Sequence, residues 1–172
     1  SRGVTIPYGH PSDGSELDTI CGLGNKKNSI FAAILKREGV ELFQSTVALI
    51  DELRSHGVRM AVASSSKNCR DVLQRAGIEN LFEAVADRLV AATAGLKDKP
   101  EPDIFIKAAE SLRVDISRTV VVEDSSAGVE AGQAGDFGMV LEVAKRNNSA
   151  LLWERGADHV VEDLEEIILK DM

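Results

Sequence analysis

The stretch that decides the fold reads TVVVEDSSAGVEAGQAG, Thr119 to Gly135. Its opening, Thr119 to Val122, is β-branched throughout, too hydrophobic for a strand with a solvent face and typical of one buried on both sides. Glu123 and Asp124 follow side by side at its carboxyl end. SSAGVEAGQAG, Ser125 to Gly135, then reads as a helix.

The same alternation continues in both directions. Upstream, STVALIDELRSHG (45–57) is predicted as a helix with Val47, Ile50 and Leu53 on its apolar face and Gly57 at its end. VRMAVA (58–63) is a strand, KNCRDVLQRAG (67–77) a helix, and FEAVAD (82–87) a short strand. AATAGLKDKPEP (91–102) reads as a loop, followed by a helix over 103–112 with the stripe Ile104, Phe105, Ala108, Ala109 and Leu112. Downstream come a strand in FGMVLEV (137–143), a helix in NSALLWERG (148–156), a strand in HVVED (159–163) and a closing helix in LEEIILKDM (164–172). Strands alternating with helices predict an α/β fold, a Rossmann-like parallel sheet with helices on both faces. Ligands of such sheets bind beyond the carboxyl ends of the strands.

Residues 43–172 form this α/β core, whereas 1–42 differ. They begin with the turn-rich SRGVTIPYGHPSDGSELD and continue into an amphipathic helix, KNSIFAAILKREG (27–39), with Ile30, Ile34 and Leu35 on one face. This is expected to be part of a small helical accessory segment. A chain of 172 residues suffices for one sizeable core. No apolar run approaches the roughly 20 residues that span a bilayer, so no membrane partner is expected. The net charge of −8, with no basic run, argues against nucleic acid. Cys21 and Cys69 suggest neither a disulfide framework nor a zinc site and read as free thiols of a cytoplasmic protein.

Three groups at strand ends carry possible chemistry. Ser64, Ser65, Ser66, Lys67 and Asn68 follow one strand; hydroxyls and the free N–H groups of the next helix start make a phosphate cradle, or the serines merely cap that helix. KPEPD (99–103) presents Lys99 from a loop stiffened by two prolines, and taken alone it is better read as a solvated surface lysine ahead of the N-cap Asp103. Glu123 and Asp124 leave a buried strand, where bare carboxylates are costly and Mg2+, a hard ion that prefers oxygen ligands, would suit them. The alternative is that Asp124 or Ser125 caps the next helix and Glu123 turns to water. Taken together, donors, a lysine and a carboxylate pair describe a site for phosphate plus Mg2+.

These pieces, in this order, resemble the haloacid dehalogenase superfamily of phosphotransferases: a hydrophobic strand then Ser64, KPEPD with Lys99, and VVVEDSSAGVEAGQAG with Glu123 and Asp124. ASSSKN and the NKKN of residues 25–28 are most similar to the β-phosphoglucomutase-like subfamily. The resemblance implies that Ser64 binds the transferring phosphoryl group and that Lys99 offsets its charge. It implies Asp124 as a Mg2+ ligand with Glu123 as the second. Ser66, Lys67 and Asn68, beside Ser65, would hold the other phosphate of a sugar bisphosphate, and Lys27 and Asn28 would face the substrate, unless they are a solvated helix start. The small-molecule partner would be a sugar phosphate and the reaction a mutase step. A sugar-phosphate phosphatase and a non-catalytic phosphate-binding module are the alternatives.

The family's nucleophile is the first aspartate of an Asp-x-Asp motif after its first strand, and no such motif follows an apolar strand here. That strand belongs in the middle of the sheet, between those ending at Ser64 and Asp124. It is therefore expected from a segment ahead of Ser1 in the same chain or from a separate peptide, and residues 1–172 alone are expected to be inactive.

Overall fold

The structure, a computed structural model, describes residues 5–144 and 156–169. The chain divides into two compact units, Ser1–Glu41 and Leu42–Met172.

In the first unit, Thr19 caps helix α1 (Ile20–Glu38) by accepting from the Gly22 N–H. The helix starts seven residues earlier than 27, because the turn before it is tied down. Asp13 accepts from the Thr19 hydroxyl at 2.6 Å, and the Asn25 amide donates to the Pro11 and Asp13 carbonyls. Leu35 is buried, but Ile30 and Ile34 of the same expected face are exposed.

The second unit holds two parallel sheets. Strand β1 (Ala61–Ala63) pairs with β2 (Ala84–Ala86), and β3 (Val120–Glu123), β4 (Met139–Val143) and β5 (His159–Val161) pair in that order. Helices α2 (Gln44–Ser55), α3 (Cys69–Ala76), α5 (Asp103–Leu112) and α6 (Ser126–Ala134) fall where their apolar periodicity places them. All five residues of the α5 stripe are buried. α5 packs on β1 and β2, α6 on β3 and β4, and the two helices meet. One apolar cluster runs through both sheets: Ala86, Ile104, Phe105, Ala108, Val121, Val129, Ala131 and Val140. Phe105 meets Phe137 edge-to-face at 6.1 Å between ring centres. α6 lies close on β4 because residue 132 is glycine; a Cβ there would stand 2.9 Å from a Val140 methyl.

Three expectations need correction. β3 is not buried on both sides: Val120 and Val122 are 52 % and 48 % exposed, while Val121 is buried. β3 pairs only with β4 among the described residues, so one edge and one face lack a neighbour. Within the expected loop 91–102, the first residues are helical: α4 (Arg88–Ala94) is capped by Asp87, which accepts from the Leu89 and Val90 N–H groups. A short Ala- and Thr-rich helix has too little periodicity to register. The closing helix shrinks to a single 3-10 turn, Leu164–Glu166; the Asp163–Glu166 capping box closes it, and Ile167 is already extended. Ile168 stays 81 % exposed, so no burial rewards a further turn. The helix expected at 148–156 lies outside the described residues save its last position.

Candidate active site at the strand ends

At the end of β3 the two neighbouring acids differ. Asp124 is exposed, whereas the Glu123 side chain is only 10 % exposed and fully engaged. Its Oε2 accepts from the Asp124 N–H (3.0 Å), the Ser125 N–H (3.0 Å) and the Ser125 hydroxyl (2.8 Å). Its Oε1 accepts from the Lys99 ammonium. The carboxylate lies against the first turn of α6, where a Cβ on residue 128 would come within 2.0 Å of it; only glycine leaves that space. Ser125 also caps α6, accepting from the Gly128 N–H at 3.2 Å, so its capping role and its bond to Glu123 coexist.

Lys99 is not a solvated lysine. Its side chain is 13 % exposed, pairs with Glu123 and sits 4.4 Å above the Phe105 ring. A cation that is buried, ion-paired and over an aromatic face is held in one orientation. The structure thus brings together Lys99, Glu123 and, through the backbone, Asp124. Among the described residues no three His, Cys, Asp or Glu side chains gather into a metal-binding group. The oxygen donors present still fit Mg2+ in kind: the exposed Asp124 carboxylate at the mouth, with Glu123 behind it committed to Lys99 and the loop.

The end of β1 is built differently. The Ser64 N–H donates to the Ala86 carbonyl at 2.9 Å, extending the β1–β2 ladder by one step. Beyond it the loop is shaped by its own side chains: Ser64 Oγ accepts from the Ser66 N–H (3.2 Å) and Ser66 Oγ from the Asn68 N–H (3.1 Å). Ser65, Ser66 and Lys67 are exposed. Cys69 beneath them is buried and bonded to the Ser64 side chain; burial pushes its thiol up, which keeps it protonated. Two serines therefore do shape the helix entry, and hydroxyls, a lysine and N–H groups stay on the surface of the same loop.

Two participants were missed from sequence. Asp87 is 2 % exposed, and its Oδ2 accepts from Arg70 Nε at 2.6 Å while its Oδ1 caps α4. Burial raises the Asp87 carboxyl, but the Val90 N–H and the Arg70 guanidinium outweigh it and hold the group below the usual carboxylate range. The available signal was an aspartate directly after the apolar strand FEAVA. Lys27 and Asn28 lie on α1 in the first unit; Lys27 edges a shallow apolar surface with Leu23, Ile30, Phe31 and Ile34.

A family model described as haloacid dehalogenase-like hydrolase matches residues 12–136, most of the chain. This chain belongs to that family. It is 36 % identical over 171 residues to a β-phosphoglucomutase of Mycobacterium bovis, a match that covers 98 % of this chain and 65 % of that protein. It is 33 % identical over 130 residues to a trehalose-phosphate phosphatase of Mycobacterium leprae, covering 73 % and 28 %. Among solved structures it resembles CbbY of Rhodobacter sphaeroides in complex with phosphate, with a TM-score of 0.71 and 25 % identity, covering 90 % of this chain and 68 % of that one. The chain thus spans just under two thirds of the mutase's length. The fold is the α/β one of these family members, with parallel sheets and flanking helices. Among the described residues no helix is long and apolar enough to cross a membrane.

Proposed function

We propose that the chain carries the phosphate- and metal-binding part of a Mg2+-dependent phosphotransferase that acts on a sugar phosphate, of the β-phosphoglucomutase type. The observation that carries the reading is the buried Lys99–Glu123 pair beside the exposed Asp124 at the end of β3. A cation fixed before substrate arrives, beside a carboxylate able to hold a metal ion, is what stabilising a negatively charged phosphoryl group requires.

Asp124, backed by Glu123, would hold the Mg2+, which when bound supplies charge neutralisation at the phosphoryl oxygens. Lys99, held over Phe105, presents an ammonium to the same group. Ser64 binds a phosphoryl oxygen through its hydroxyl. Ser65, Ser66, Lys67 and Asn68 take the second phosphate of a bisphosphate intermediate, aided by the N–H groups at the start of α3.

The attacking carboxylate is assigned to a further strand, supplied by an upstream part of the same chain or by a separate peptide. Edges of β1 and β3 that are unpaired among the described residues, the half-exposed Val120 and Val122, and the single core under both sheets support this. A strand between them would pair both edges and deliver its last residues beside Lys99 and Asp124.

The likeness to a trehalose-phosphate phosphatase favours a second reading, hydrolysis of a sugar phosphate. Assaying the full-length protein and Lys67→Ala with glucose phosphates and with a small aryl phosphate separates the two. With two phosphates to hold, Lys67→Ala is expected to lower sugar-phosphate turnover about tenfold, for one charge-assisted contact, and to leave aryl phosphate hydrolysis nearly unchanged. A parallel fall in both would overturn the two-phosphate assignment.

A further inference from the structure

The loop from Ser64 to Asn68 leads into α3, and one of the ties that aim α3 lies outside the loop. The Ser64 backbone is tied to the sheet through the Ala86 carbonyl, and its side chain to Cys69 of α3; the Ser64–Ser66 and Ser66–Asn68 bonds are local and would survive a swing of the whole segment. α3 has eight residues, about 12 Å, and only Cys69 and Leu73 of it are buried. A helix that short, with two buried residues, has limited packing to fix its rotation.

Arg70, the second residue of α3, provides a constraint from outside the loop. Its Nε donates to Asp87 Oδ2 at 2.6 Å, and its Nη2 approaches the Val85 carbonyl at 3.4 Å. Asp87 is the residue directly after β2 and is immobilised, being 2 % exposed and bonded to the Leu89 and Val90 N–H groups. The planar guanidinium fork thus joins the first turn of α3 to the end of β2 and the start of α4. It also neutralises a buried carboxylate that would otherwise repel an anion bound nearby.

We propose that Arg70 and Asp87 are a positioning pair that orients the Ser64–Asn68 loop toward the second phosphate of the substrate, acting on affinity for that phosphate and not on the chemical step. The proposal rests on the two-phosphate reading of the loop. Arg70 acts through Asp87, so the two residues should behave as one unit.

The test uses the full-length protein and the variants Arg70→Gln, Asp87→Asn, the double variant and Lys67→Ala. Arg70 is 60 % exposed at its side chain, so Arg70→Gln leaves Asp87 capping α4 and is expected to fold even if Asp87→Asn does not. Arg70→Gln is expected to raise KM for the sugar phosphate about tenfold with kcat within about twofold, and to leave aryl phosphate hydrolysis unchanged. Asp87→Asn should do the same, and the double variant should be no worse than the worse single one. Additive losses would mean that Arg70 touches substrate itself, which overturns the positioning role. An unchanged KM in Arg70→Gln beside a raised KM in Lys67→Ala overturns this proposal alone. An unchanged KM in Lys67→Ala removes the two-phosphate reading, and the proposal with it.

Discussion

The two strand ends that make up the candidate site are built on opposite principles. At the end of β3, Glu123 has every oxygen engaged, Lys99 is nearly buried over an aromatic ring, and glycine 128 leaves room for the carboxylate. At the end of β1, the serines bond within their own loop and Ser65, Ser66 and Lys67 stand in solvent. The first arrangement is rigid before anything binds and suits charge stabilisation at a reacting group. The second keeps donors available at low desolvation cost and suits recognition of a substrate that comes and goes. Changes at β3 should therefore cost chemistry and stability together, and changes at β1 should cost affinity alone.

The largest effect is expected at Asp124. In the full-length protein Asp124→Ala should lower turnover of sugar and aryl phosphates alike by about a thousandfold or more, with an unchanged circular dichroism spectrum. Loss confined to the sugar phosphate would place Asp124 with the recognition loop and dissolve the contrast.

Next is the ion pair itself. Lys99→Ala leaves Glu123 charged and nearly buried, and breaking such a pair costs about 3–5 kcal/mol, so denaturant unfolding should show that loss. Lys67→Ala, in the exposed loop, should change stability by less than about 0.5 kcal/mol. Equal losses in the two variants would break the distinction between the ends.

Gly128→Ala should destabilise by about 2 kcal/mol, because the added Cβ takes the place of the Glu123 carboxylate and forces it off Lys99. The companion Glu123→Ala/Gly128→Ala should show almost no further loss over Glu123→Ala. Full additivity would mean that the glycine serves something other than Glu123.

The smallest effect is a pH dependence at Asp87. Its folded carboxyl lies below the unfolded value near 3.9, so its stabilising contribution is complete above that value and is lost as pH falls through the folded one. Wild type should exceed Asp87→Asn by about 1 kcal/mol at neutral pH, with the gap closing as the solution is acidified below about pH 4. A gap that stays constant to pH 2 would remove the charged pair from the account.

Much of this was legible in the sequence where one residue type has one consequence. The α5 stripe is legible residue for residue because a 3.6 period that begins straight after a proline-stiffened loop admits little else. The same reading of α1 found the apolar face but not its fate: Ile30 and Ile34 remain exposed, since periodicity says which side is apolar and not what covers it. Val120 and Val122 teach the same lesson in a strand. At the site, Glu123, Asp124 and the serine loop announced themselves as polar residues at strand ends. The engagement of Lys99 with Glu123, 24 positions away, and of Arg70 with Asp87, 17 away, is tertiary and leaves no local pattern.

The most direct test of the central claim is calorimetric titration of Mg2+ into the full-length protein and into its Asp124→Ala variant. The account predicts saturable binding to wild type that is lost in Asp124→Ala while the circular dichroism spectrum is unchanged. Equal Mg2+ affinity in the two proteins would contradict it and leave the acids at the end of β3 as helix-capping residues only.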